Sequence, residues 1–353
     1  MSFESLPNAN QQNHFNLLRL VAASCVIVSH AWCIAGGPAS FDPLYGRVGF
    51  DLGGTAVTAF FAISGYFISL SFDRRQSNAA FIVARATRII PGLLVVSLIS
   101  AFILGPLLTA FPLSSYFASK SVWLYTLQNI SIYRIMVSTL PGVFVHNPFP
   151  GFVNGSLWTL FFEVACYIGL FLAGIAGLLR RQQFVWMLLA WAVAYLGARY
   201  GPWAKLTYFA ILSFPFVIGM TVYHFRAARI LNGWIALALM ATAVALGLAH
   251  HGVEELWSAA TAYGVLCLGF TPAPALLAYN KAGDFSYGTY IYGFPVGQTC
   301  AALIPGIGVP LLIALSLPIS ILCGALSWKF VEKPALELRK IAVRRQREPV
   351  KVA

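Results

Sequence analysis

The sequence predicts an all-α integral membrane protein, a bundle of about ten transmembrane helices with both termini in the cytoplasm. Of 353 residues, 59% are hydrophobic and only 10% charged, a balance outside the range of soluble globular chains. The apolar runs are continuous over about 20 residues, the length a helix needs to cross hydrocarbon. They lack the roughly ten-residue alternation of a transmembrane barrel. Because hydrocarbon offers no water to the backbone, each run must satisfy its own N–H and C=O groups, and helices do so within the segment.

The spans are expected at 15–35, 54–72, 86–111, 156–178, 183–200, 205–224, 231–250, 255–277, 285–304 and 308–330. They form one transmembrane domain over 1–340, followed by a basic cytoplasmic tail, 341–353. With the N-terminus inside, the inner side holds 17 Lys and Arg: Arg74, Arg75, Arg85, Arg88, Arg180, Arg181, Arg226, Arg229, Lys281 and eight from Lys329 onward. The outer loops hold five, Arg47, Lys120, Arg134, Arg199 and Lys205. That bias sets the orientation by the positive-inside rule. The segment up to Asn13 lacks the basic flank and small-residue cleavage site of a signal peptide, so the first helix is expected to be retained.

The six cysteines lie in or beside apolar runs without C-x-x-C spacing and read as small buried hydrophobes; no metal site is expected. The longest connection, 111–155, is expected outside. Its turns at Pro141-Gly142, Asn147-Pro148 and Pro150-Gly151 make it a lid or binding element, or an interfacial segment anchored by Trp123, Tyr125 and Tyr133. A formal charge of +12 is compatible with nucleic acid, anionic lipid or a polyanionic cofactor, and the topology assigns it to the cytoplasmic side.

An ionisable group inside a span costs several kcal/mol unless it is paired or faces a cavity. Arg19 and His30 are eleven residues apart, which returns to within about 20° of one helix face with a rise of roughly 16 Å. Arg19 is expected near the cytoplasmic mouth and His30 deep in the bilayer. The competing reading of His30 is a core histidine bonded to a neighbouring helix. Glu163 is the acidic residue well inside a span, and Ser156, Glu163 and Tyr167 at i, i+7 and i+11 form a polar stripe. Its expected partner is His30 or Arg19, and the structural alternative is an ion pair that only fixes packing. Arg85 and Arg88 open the third span, where they can grip phosphates or serve as positive-inside anchors. Gly53-Gly54 and the run Phe60 to Tyr66 supply small residues for close helix approach or for passage of an acyl chain.

In this order these motifs resemble the acyltransferase-3 family of membrane-bound acyltransferases over nearly the whole chain. Arg19 through His30 is similar to its R-x10-H signature, Phe60 through Tyr66 to F-F-x-x-S-G-aromatic, and Arg85 to Arg88 to R-x-x-R. Ser156-Leu157-Trp158 with Glu163 and Tyr167 resembles S-L-W-x-L-x-x-E-x-x-x-Y, and Val331-Glu332-Lys333-Pro334 resembles the usual end of the last helix. Ser286 through Pro295, which includes Tyr290, departs from the pattern at Gly293, where histidine is frequent, so no role for a second histidine is carried over.

The resemblance implies acetyl-CoA or another acyl-CoA as donor, no metal, and transfer to a hydroxyl of a cell-surface saccharide: exopolysaccharide, lipopolysaccharide or lipo-oligosaccharide. His30 is expected to act as general base or to carry the acyl group transiently, with Glu163 orienting it and stabilising its cationic form, and with Arg19 positioning CoA or neutralising negative charge near the thioester. Arg85 and Arg88 are expected to hold the phosphates of CoA, with Ser64, Trp158, Tyr167 and Tyr290 as substrate or structural support. The implied location is a bacterial cytoplasmic (inner) membrane. The expected partners are membrane lipid, the saccharide or glycolipid acceptor and polysaccharide-assembly proteins, with no nucleic acid. The rival function is a secondary transporter that uses the Arg, His and Glu as a proton or substrate pathway.

Overall fold

The computed structural model describes residues 13–75, 77–132, 137–274, 279–280 and 283–338. Tyr133, Arg134, Lys281 and the tail from Arg339, all of which enter the topology argument, lie outside the described residues. Among the described residues the chain is helical, and its extended pairing is limited to the isolated bridges Thr109 to Val143 and Thr139 to Phe152.

Among the described residues fourteen α-helices are defined: α1 Phe15–Gly36, α2 Pro43–Val48, α3 Leu52–Asp73, α4 Asn78–Ile99, α5 Gly105–Leu108, α6 Leu113–Ala118, α7 Lys120–Ser131, α8 Trp158–Ile175, α9 Arg181–Tyr200, α10 Ala204–His224, α11 Gly233–Leu248, α12 Glu254–Phe270, α13 Ser286–Leu303 and α14 Val309–Ser327. Each expected span overlaps one of the longer helices. Among the described residues six stretches are long and apolar enough to cross a membrane: Phe15–Gly36, Leu52–Asp73, Asn78–Leu108, Trp158–Ile175, Lys205–His224 and Val309–Leu338. Two of them extend through π-helical turns, at Ser100–Leu104 after α4 and at Trp328–Glu332 after α14.

The chain divides into two compact units. The first comprises the chain up to Ser29, Phe41–Asp73 and Thr159–Asp284. Its closest helix pair is α3 with α10, where a Cβ on Gly65 would lie 1.9 Å from the carbonyl oxygen of Phe216. A Cβ on Gly219 would lie 2.1 Å from that of Ala62. The absence of side chains at both positions lets the two backbones touch, the small-residue packing expected of apolar helices. Beside this contact Phe15, Ala59, Ala62, Ile63, Val222 and Leu266 form a buried cluster.

The second unit comprises His30–Ser40, Arg74–Trp158 and the chain from Phe285. Here α13 and α14 meet at Gly288 and Gly324, with a Cβ on Gly288 only 2.7 Å from Cα of Gly324. The connection expected as a 111–155 loop contains helices α6 and α7. They form because Tyr116, Val122 and Tyr125 bury themselves against Ala101, Val143 and Val153. The Tyr116 hydroxyl donates to the Ala101 carbonyl at 2.8 Å, and burial pushes its pKa up to about 12, so it remains a donor. Two of the expected turns hold glycine in the left-handed region, Gly142 at φ 68 and Gly151 at φ 77, which only glycine occupies at little cost.

The stretch 137–157 is pinned to α13 by Gln298, which is fully buried. Its Nε2 donates to the carbonyls of Phe149 at 2.7 Å and Phe152 at 2.9 Å. Asn147 Nδ2 donates in turn to Gln298 Oε1 at 2.7 Å. A loop at this depth must find partners for its backbone groups, and one glutamine supplies two of them.

Candidate active site

His30 sits near the end of α1, which runs unbroken from Phe15 because it is mostly apolar and free of proline. Its Nδ1 lies 3.5 Å from Ser156 Oγ, at the outer limit of a hydrogen bond. The imidazole and the Phe294 ring meet edge to face with centroids 5.2 Å apart, and Phe294 meets Phe149 in a T-shaped contact at 5.8 Å. Gly155 makes this approach feasible, since a Cβ there would come within 2.7 Å of the Phe294 ring.

Ser156 is buried and held from two sides. Tyr290 OH donates to its carbonyl at 2.8 Å, and its own N–H donates to Asn154 Oδ1 at 3.2 Å. Asn154 Nδ2 donates to the Ile291 carbonyl at 2.8 Å. The second unit thus brings together two sequence-predicted residues, His30 and Tyr290, around Ser156.

In the first unit Glu163 projects from α8 and accepts from two hydroxyls. Ser64 Oγ donates to Glu163 Oε1 at 3.2 Å, and Tyr167 OH donates to the same oxygen. A carboxylate among apolar helices is tolerated when its lone pairs are satisfied in this way. Ser64, Glu163 and Tyr167 therefore form one cluster. Trp158, which opens α8 and belongs to the second unit, is partly exposed.

Arg19 lies 3.7 Å from Asp284 and sits over the Phe67 ring at 5.3 Å. Asp284 was missed by the sequence reading, which weighed acidic residues only inside spans. Its position two residues ahead of Ser286-Tyr287, at the mouth of a helix, was the available signal. Arg88 donates to Glu332 at 3.2 Å and lies between the rings of Tyr287 and Trp328, at 5.7 and 5.9 Å. Glu332 is 1% exposed and also accepts from Ser327 Oγ at 2.9 Å. Arg85 lies 5.9 Å from the Phe81 ring. Among the described residues no group of three His, Cys, Asp or Glu side chains is placed to hold a metal ion.

Long apolar helices that hold a histidine, a carboxylate cluster and two arginines within them mark an integral membrane protein. The acyltransferase-domain family matches residues 13–329. The chain therefore belongs to the acyltransferase-3 family and is an acyltransferase, which decides for group transfer over transport. It is 29% identical over 335 residues to an O-acetyl transferase of Shigella phage Sf6, a match covering 92% of this chain and 96% of that protein. It is 30% identical over 380 residues to nodulation protein 10 of Rhizobium leguminosarum bv. viciae, covering 96% and 97%. No solved structure matches the chain.

Proposed function

We propose that the chain moves an acetyl group from acetyl-CoA to a hydroxyl of a cell-surface saccharide, an exopolysaccharide, lipopolysaccharide or lipo-oligosaccharide, with His30 as general base. The observation that carries this reading is the pairing of His30 Nδ1 with Ser156 Oγ at 3.5 Å. On this reading the histidine is the tautomer in which Nδ1–H donates to the serine, which leaves the Nε2 lone pair for the acceptor hydroxyl. The name of the phage relative supports O-acetyl transfer, and the family resemblance supports the saccharide acceptor.

In the reaction the acceptor oxygen attacks the thioester carbonyl as Nε2 takes its proton. The new C–O bond forms, the C–S bond breaks, and the imidazolium returns the proton to the departing thiolate. Glu163 is assigned the stabilisation of the imidazolium, a role that rests on its charge and on the resemblance of Ser156-Leu157-Trp158 with Glu163 and Tyr167 to the family motif. Arg19 supplies positive charge near the thioester. Arg85 and Arg88 take the phosphates of CoA, with Glu332 holding Arg88 in place. Ser64 and Tyr167 support Glu163, Tyr290 supports Ser156, and Trp158 lines the acceptor path.

The donor side is the cytoplasmic face of a bacterial inner membrane, in a ten-span topology with both termini inside. Lipid, the glycolipid acceptor and polysaccharide-assembly proteins are the partners this reading supplies. In purified protein with acetyl-CoA and glycolipid from the expressing host, His30→Ala should lower thiol release by about 10²–10⁴-fold while leaving membrane insertion intact. Unchanged turnover in that variant would overturn the assignment.

A further inference from the structure

Pro295 lies inside α13. A proline has no backbone N–H, so the carbonyl four residues earlier loses its helical donor. That carbonyl belongs to Ile291. It is buried, and a buried carbonyl without a donor is costly. Asn154 Nδ2 supplies the donor from outside the helix, at 2.8 Å. The same side chain turns its Oδ1 to the Ser156 N–H at 3.2 Å. Asn154 is itself 1% exposed, so both ends of its amide are committed.

We infer that Asn154 is a positioning residue for the acyl-transfer reaction: it uses the carbonyl freed by Pro295 as an anchor and thereby sets the Ser156 hydroxyl against His30 Nδ1. The inference rests on the reading of His30 as the base. The proline does more than bend α13. It exposes a fixed acceptor on the helix flank, and Asn154 converts that acceptor into a constraint on the residue two positions along. Tyr290, one residue before Ile291, holds the Ser156 carbonyl at 2.8 Å, so Ser156 is clamped at N–H and C=O while its hydroxyl stays directed at the imidazole. The sequence shows Asn154 only as the first residue of a short N-x-S triplet, and the proline-freed carbonyl gives that asparagine its purpose.

The test combines turnover with stability in the full chain, using acetyl-CoA and host glycolipid as the probe substrates. Asn154→Ala should lower kcat by about 10–100-fold with KM for acetyl-CoA unchanged, because a misdirected base slows chemistry without altering donor binding. Asn154→Ala combined with Ser156→Ala should be no slower than Ser156→Ala alone, since two residues acting as one unit are not additive. Adding Pro295→Ala to Asn154→Ala restores the helical N–H to Ile291, and should recover the melting temperature without recovering kcat.

Multiplicative losses in the double variant, recovery of kcat together with stability, or a kcat within twofold of the parent would each overturn the inference. If the alanine variant fails to insert, Asn154→Gln, which keeps the amide but displaces it by one methylene, is read by the same criteria. His30→Ala run alongside separates the two claims. Full turnover there removes the base assignment, whereas loss there with multiplicative Asn154 and Ser156 effects removes only the positioning role.

Discussion

Arg88 donates to Glu332 at 3.2 Å, and that carboxylate is 1% exposed. An ion pair so enclosed contributes little net stability compared with apolar residues of the same shape, but removing one member strands the other. Glu332→Ala should therefore destabilise the protein, by less than the about 3–5 kcal/mol of a fully buried pair because the Arg88 side chain it leaves is 24% exposed, measured as a loss of thermal stability in detergent. Glu332→Gln, which keeps an acceptor for both Arg88 and Ser327, should lose distinctly less. Equal effects for the two substitutions would mean that the charge of Glu332 does not hold Arg88.

The contact of α3 with α10 gives a second expectation. A methyl group on Gly65 would overlap the Phe216 carbonyl at 1.9 Å, and backbone cannot turn aside as a side chain can. Gly65→Ala should cost about 1–3 kcal/mol or more through forced separation of the helices. Gly46, in α2, has nothing within 4 Å of its Cβ position, so Gly46→Ala serves as the matched control and should be neutral or slightly stabilising. Comparing the melting temperatures of the two variants checks the argument.

The features legible in the sequence were those fixed by local physics. Apolar runs long enough to span hydrocarbon became the long helices, and the glycines of the Pro141-Gly142 and Pro150-Gly151 turns adopt the positive φ that such turns need. The small residues of the Phe60 to Tyr66 run proved to be a site of close backbone approach, as Gly65 shows. The partners of the polar residues were less legible, because they are set by contacts far apart in sequence. Arg19 meets Asp284, Arg88 meets Glu332, and His30 meets Ser156, each across more than a hundred residues. Glu332 was legible only as part of the closing Val331-Glu332-Lys333-Pro334 motif, and its pairing with Arg88 was not, because it falls two residues beyond the expected end of the last span. The two helices inside the 111–155 connection escaped notice because each is short and takes its stability from burial of Tyr116 and Tyr125, which a periodicity argument cannot register.

Glu163 draws both Ser64 and Tyr167 to one oxygen, so charge and hydrogen bonding can be tested separately. Glu163→Gln removes the charge and keeps an acceptor for both hydroxyls. If Glu163 stabilises a cationic histidine during transfer, this substitution should lower kcat by about 10²–10³-fold, whereas Tyr167→Phe, which removes one donor and keeps the carboxylate, should cost much less. A Glu163→Gln variant with normal turnover and reduced thermal stability would assign the residue to packing instead.

Arg19 offers a test of donor binding rather than of chemistry. Its guanidinium is steadied by Asp284 at 3.7 Å and by the Phe67 ring at 5.3 Å, which leaves the planar fork oriented and able to donate further. Lysine keeps the charge but not the fork or the ring contact. If Arg19 binds the donor near its thioester, Arg19→Lys should raise KM for acetyl-CoA by about tenfold, in the range set by losing one charge-assisted hydrogen bond. Asp284→Asn, which loosens the guanidinium without removing it, should shift KM in the same direction by a smaller factor. Steady-state kinetics over a range of acetyl-CoA concentrations separates this from a catalytic role, which would lower kcat at unchanged KM and would move Arg19 from donor binding to transition-state stabilisation.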